Sequence, residues 1–224
     1  MLSASLDNDH PLADEFRRFV AQPQFPCLGA KSALARGRLS FVVARDISSS
    51  WDDLRIYPAL FNFAKAYRRR RQLFQSFVVV FRGPRSLGEE EYEQCLWDRV
   101  QSLTGKDVWF GEDHDTRVSA DPANPRFSVS FGSEAFFVVG LHPNASRPGR
   151  RFRCPAMVFN PHEQFEELRR QNIYEKLRES ILERDAALAG SRNPMLQVFG
   201  EKSEARQYSG RIVEADWKCP YRRR

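Results

Sequence analysis

The sequence predicts an α+β fold: a mixed, mostly antiparallel sheet packed with several helices, as a single domain over residues 1–224. Three observations lead there. Short runs rich in β-branched and aromatic residues recur along the chain, among them LSFVVA at 39–44, SFVVVF at 76–81 and AMVF at 156–159. Between them lie stretches with apolar residues at helical spacing. Two further strands, FSVSF at 127–131 and AFFVVGL at 135–141, are separated only by Gly132-Ser133-Glu134, which reads as a hairpin and therefore as antiparallel pairing.

The elements follow in order. Pro11–Ala21 is an amphipathic helix, with proline and acids in its first turn and Phe16, Phe19 and Val20 on one stripe. QPQFPC ends it, and Leu28–Arg36 is a second short helix stopped by Gly37. After the strand at 39–44, Ser48–Ser50 offer caps to a helix from Trp51 to Phe74, kinked or restarted at Pro58. Arg68–Arg71 fall near its C-terminus, where positive charge complements the helix dipole. SFVVVF is apolar almost throughout, as a strand buried on both faces would be. Glu89–Leu103 is a helix with acids in its first turn, and Thr104–Arg126 is an irregular surface flap. Pro161 opens one long helix to Leu188, with Phe165, Leu168, Ile173, Leu177 and Ile181 as its buried stripe and Gly190 as its stop.

Composition excludes more than it selects. Hydrophobic residues make up 42% and charged residues 29%, ordinary for a globular chain. The net charge of +6 is partly local, in Arg68–Arg71 and Arg222–Arg224, and attracts anions without singling out nucleic acid. The first ten residues lack a signal-peptide core and no apolar run approaches the roughly 20 residues of a membrane span, so the expected location is the cytoplasm, with no membrane partner. Cys27, Cys95, Cys154 and Cys219 form no CxxC pair; free thiols are expected rather than a structural zinc site. G-x-S-x-G, Walker A, G-x-G-x-x-G and H-E-x-x-H are all missing.

The chemistry concentrates in residues 136–165. His142 and His162 each follow an apolar run, and Arg147, Arg150, Arg151 and Arg153 lie between them. Neutral imidazole ligates transition metals and haem iron, although a lone histidine at a strand end is more often only hydrogen-bonded. Guanidinium groups hold carboxylates or phosphates, although an Arg pair is more often solvated loop. Cys27, in FPC between two helices, offers a thiolate to iron, or else a small buried residue. Glu201, Glu204, Arg206, Gln207, Tyr208 and Arg211 in GEKSEARQYSGR give carboxylates able to receive a guanidinium, or else a salt-bridged surface loop.

FPC at 25–27, GLHPNASRPGRRF at 140–152, VFNPHEQFEELR at 158–169 and GSRNPMLQVFGEKSEARQYSGR at 190–211 resemble the signature blocks of the YqcI/YcgG family. SFVVVF at 76–81 and ERD at 183–185 fit as well, and the resemblance covers the chain from Phe16 to Cys219. Members with an assigned role are haem-dependent N-hydroxylases of guanidine groups, acting on L-arginine or arginine-derived compounds in natural-product pathways such as those to D-cycloserine and guanitoxin. The resemblance implies a haem pocket for protohaem IX (haem b) and its iron, a small-molecule guanidine substrate, and O2 with an external electron donor or peroxide. One departure is the lack of an acid at Gln197 or Val198, where NPMLxD is expected.

On that footing His142 is the preferred axial ligand, with His162 as the alternative and Cys27 in reserve. Arg147, Arg150 and Arg151 would hold propionates, and Glu201 and Glu204, with Arg206 and Tyr208, would form the catalytic, substrate-facing end. Two other readings stay open. One is a non-haem iron oxygenase using His142, His162 and Glu163 or Glu134. The other is a haem-binding sensor or carrier without turnover. A nucleic-acid partner ranks last, because the scattered aromatics form no recognition pattern. The oligomeric state is left open, a dimer included.

Overall fold

The computed structural model describes residues 4–195 and 202–222. Five strands form one sheet in the order β1-β2-β5-β4-β3. They are β1 (Leu39–Asp46), β2 (Ser76–Gly83), β3 (Val129–Phe131), β4 (Glu134–Leu141) and β5 (Ala156–Pro161). β1 and β2 run parallel, Leu39 opposite Ser76, joined through the helix α3 (Asp53–Arg69). The remaining pairs are antiparallel, with Phe77 opposite Phe159 and Leu141 opposite Ala156. The predicted α+β class and mixed, mostly antiparallel sheet are the observed ones.

Alternation along the strands divides the interior in two. Phe77, Val79, Phe81, Phe136, Val138 and Phe159 face α3 and α4 (Glu89–Trp109). Val78, Val80, Leu141 and Ala156 face the other way, toward α1 (Pro11–Ala21) and α2 (Leu28–Ala35). β2 is thus buried on both sides, as its unbroken apolar run requires. The β3–β4 turn is two residues long, with Gly132 at φ 57° and Ser133 at φ 60°. Two positive φ values give the turn whose twist matches a hairpin.

Three boundaries differ from the sequence reading. The α3 helix starts at Asp53 rather than Trp51, with the Asp52 carboxylate just before it held by the Arg45 amide at 2.7 Å, and it ends at Arg69. The flap is smaller than predicted. Thr104–Trp109 continue α4, and Asp115 in the following loop is buried, its amide donating to Ser130 Oγ at 3.0 Å and its carboxylate accepting from the Ala135 amide at 3.0 Å. Last, the long C-terminal helix is two: α5 (Glu163–Arg170) and α6 (Tyr174–Ala189). Asn172 breaks them at φ 56°, a conformation asparagine tolerates and helices exclude. Pro161 belongs to β5, and Gly190 caps α6 at φ 75° as expected. The short α7 (Ala205–Tyr208) follows. Among the described residues no helix is long and apolar enough to cross a membrane.

Candidate active-site cavity

A cavity of about 300 Å³ lies on the α1/α2 face of the sheet. That volume is at the lower end of the roughly 300–1,000 Å³ usual for small-molecule and cofactor sites. Phe137, Val139 and Leu141 of β4 and Val158 of β5 form its floor, and Phe165, Leu168, Leu177 and Ile181 of α5 and α6 cover it. The predicted apolar stripe of α6 therefore faces a cavity rather than a closed core. Leu168 is buried, whereas Ile173 is 44% exposed and lies off the wall.

Cys27 sits at one end. It caps α2, its Sγ accepting the Ala30 amide at 3.4 Å. Burial raises the thiol pKa; the amides of Ala30 and Gly29 and the charge of Arg150 oppose this. Gly29 keeps the space before the sulfur clear: a Cβ there would lie 3.8 Å from Cys27 Sγ and 3.9 Å from Phe74 Cδ1. Arg147 and Arg150 line the same end. Arg147 is buried in an ion pair with Asp185 of α6, which ties the loop after β4 to the cavity cover. Arg150 donates to the carbonyls of Gly140, Gln207 and Tyr208, so it binds the tail to the sheet.

Glu204 lines the wall with Arg169, Tyr174 and Gln207. Ser128 Oγ donates to its Oε2 at 3.3 Å, and burial pushes its pKa up to about 7. The nearby Arg169 guanidinium opposes that rise.

Other expected site residues lie elsewhere. His142 continues the β4 face that carries Phe136, Val138 and Gly140, so it points away from the cavity. Its ring stacks on Tyr92 with centroids 4.4 Å apart at 15°. Burial lowers its pKa to about 4, and its Nδ1 makes no hydrogen bond. His162 stands at the opposite end of the β4–β5 pair, its amide bonded to Ala135 O at 2.8 Å. Six residue pairs, Phe136–Pro161 to Leu141–Ala156, separate the two histidines, on the order of 20 Å at ~3.3 Å per residue. They cannot share a metal, and among the described residues no cluster of three or more His, Cys, Asp or Glu is set to hold one. The iron triad of His142, His162 and Glu163 or Glu134 is therefore not assembled. Glu134 and Glu163 instead share Arg117 with Asp115.

Arg151 clamps its own loop through the Ala145 and Ser146 carbonyls, away from the cavity. Arg206 does the same for the tail, reaching Trp217 O and Val213 O. Tyr208 is a core residue stacked on Trp97, with its hydroxyl on Phe136 O at 3.1 Å. Glu201 lies outside the described residues. Sequence reasoning missed Arg169, Tyr174, Arg178 and Asp185 as wall residues. The signal for them was the apolar stripe of α6 itself, whose flanking charges had to border whatever the stripe covered. A second, polar depression of about 350 Å³ holds Arg117, Arg126, His162, Glu163, Glu166 and Arg170. Its Arg117–Glu163 and Arg170–Glu163 pairs neutralise much of that charge internally.

Fold and site together define an α+β protein whose mixed sheet floors a largely apolar small-molecule cavity with a thiol, arginines and a buried carboxyl on its wall. The chain belongs to the YqcI/YcgG family, whose sequence profile matches residues 16–222. Comparison with curated proteins and with solved structures gives no match.

Proposed function

We propose that the protein is a haem-dependent monooxygenase that N-hydroxylates a guanidine group, of L-arginine or an arginine-derived compound, in the cytoplasm. The observation that carries this reading is that Cys27 and Glu204 open onto one cavity. The fit to protohaem rests on three features: an apolar wall, a thiol capping a helix with an amide on its sulfur, and the space before that sulfur left by Gly29. Cys27 would hold the iron, in place of His142 or His162, which are turned away or at the far end of the strand pair. Arg147, whose Nε makes no hydrogen bond, and Arg150 line that end of the cavity and would meet the propionates while keeping their protein partners. The bound haem supplies oxygen activation, which thiolate ligation favours.

The chain's own residues then bind and orient. The Glu204 carboxyl is disfavoured as an anion when alone, and a guanidinium restores its charge through paired hydrogen bonds. Ser128 fixes one of its oxygens, so the carboxylate sets the direction of the guanidine nitrogens. Phe137, Phe165 and Leu168 exclude water from that end.

Protein purified with haem supply should show a Soret band and a thiolate-type ferrous–CO band. Cys27→Ser should remove the second. Titration with L-arginine should shift the Soret band in the native protein but not in Glu204→Gln. Absence of haem under these conditions overturns the proposal, and haem binding with no guanidine consumption replaces it by a sensor or carrier.

A further inference from the structure

The reaction just proposed does not balance without a partner. Converting N–H to N–OH takes O2, two electrons and two protons, and releases one water. Peroxide aside, the electrons must come from outside the chain, which has neither a flavin nor a nicotinamide motif. Where they enter is a question the surface answers.

Arg38 precedes β1 and Phe74 precedes β2, and because these strands are parallel neighbours both turns lie at one end of the sheet. The turns are tied together: Arg38 donates to Leu73 O at 2.7 Å, and the Ser76 amide donates to Arg38 O at 3.1 Å. Arg69, Arg70 and Arg71 complete the rim, exposed at the end of α3. Arg36 is exposed too, its guanidinium 5.2 Å from the centre of the Phe74 ring. Neither 36–38 nor 69–75 contains an acid, and among the described residues Arg36, Arg38, Arg69 and Arg70 form no ion pair. Arg71 pairs with Glu163 at 3.5 Å. The two turns and the end of α3 thus carry five guanidinium groups, and that of Arg36 lies over the Phe74 ring.

That ring is unusual in its backbone and its position. Phe74 is held at φ 58°, a conformation that is strained for a bulky residue and that persists only where surrounding contacts impose it. Its inner edge lines the cavity, and it flanks the same Gly29 position as Cys27 Sγ. From outside to inside, the succession is Arg36, Phe74, the gap at Gly29 and the Cys27 thiol.

We propose that this basic rim is the docking face for an acidic one-electron carrier protein of the iron–sulfur or flavin class, whose electrons enter the cavity past Phe74. The inference rests on the haem-dependent reading above. Charge complementarity names the partner's sign, and the short path to Cys27 distinguishes a redox protein from nucleic acid or an anionic membrane. Such rims act mainly on encounter rate and its salt dependence.

The test uses an acidic plant-type [2Fe–2S] ferredoxin as probe, with haem-loaded protein. Binding at low ionic strength should weaken steeply as salt is raised. The triple variant Arg36→Glu, Arg69→Glu, Arg70→Glu should weaken it by about tenfold or more and flatten the salt dependence, and should slow ferredoxin-driven reduction in step. Its Soret band and peroxide-supported turnover should stay at native levels. Reversal at the remote Arg45 should change neither. A native Soret band with ferredoxin binding unaltered by the triple variant overturns the docking face alone. So does rim-dependent binding of duplex DNA or anionic vesicles without ferredoxin binding. Loss of the Soret band in the native protein overturns the function proposal as well.

Discussion

Arg147 and Asp185 form an ion pair from which water is almost excluded, joining the loop after β4 to the last turns of α6. Ser191 adds a carbonyl to the same guanidinium at 2.9 Å. The pair holds the helix that roofs the cavity against the sheet that floors it. Removing one partner strands the other charge, so Asp185→Ala should cost about 3–5 kcal/mol in urea unfolding. The double replacement Arg147→Met, Asp185→Leu should recover much of that loss, because neither charge is then left buried.

Gly140 should tolerate no side chain. A Cβ there would lie 2.6 Å from Tyr92 Oη and 2.8 Å from Leu96 Cδ1, both fully buried. Tyr92 cannot retreat without giving up its bond to Ala156 O at 2.7 Å. Gly140→Ala should destabilise by about 1–3 kcal/mol, read as a lower midpoint in thermal unfolding with the secondary structure intact.

Glu204 gives stability a pH dependence of opposite sign to the usual carboxylate. Its folded pKa of about 7 stands above the ordinary 4.5, so the folded state binds the extra proton between those values. Stability from this group is full below about 4.5 and falls as pH rises to about 7. Glu204→Gln should remove that decline, on the order of 1–3 kcal/mol between pH 4.5 and 8. Comparing denaturant midpoints of the two proteins across this range measures it.

His142 acts in the other direction. Its folded pKa of about 4 lies below the ordinary 6.5, so the unfolded chain takes up the proton first. The contribution is full above about 6.5 and is lost as pH falls through 4. His142→Phe keeps a ring against Tyr92 and removes the titration. It should leave the Soret band unchanged and lessen acid destabilisation below pH 6, by on the order of 1–3 kcal/mol at pH 4.

Much of the frame was legible along the chain. Each of the five strands announced itself by composition, α1 was bounded by its own proline and break, and Gly132 with Ser133 gave the hairpin turn. These are local effects, set by backbone preference and side-chain alternation. The α5–α6 break escaped because one asparagine at positive φ leaves the apolar spacing on either side intact. The arginines escaped for another reason: a guanidinium's partner is fixed by what approaches it from distant sequence. Arg150 donates to carbonyls of Gln207 and Tyr208 and Arg147 pairs with Asp185, both from the cavity wall, whereas Arg206 turns to its own tail.

The sequence by itself determined the five strands, the mixed sheet and the block at 140–153 on which the family resemblance rests. Only the tertiary structure decided which face of β4 looks into a cavity. That face carries Phe137, Val139 and Leu141, and the alternation of a strand then sends His142 to the opposite side. Packing of α2 against the sheet brings Cys27 to the wall instead, beside a ring and a loop far from it in sequence. Local rules assign a residue to a side of its own strand or helix; what lies on that side depends on how the elements meet.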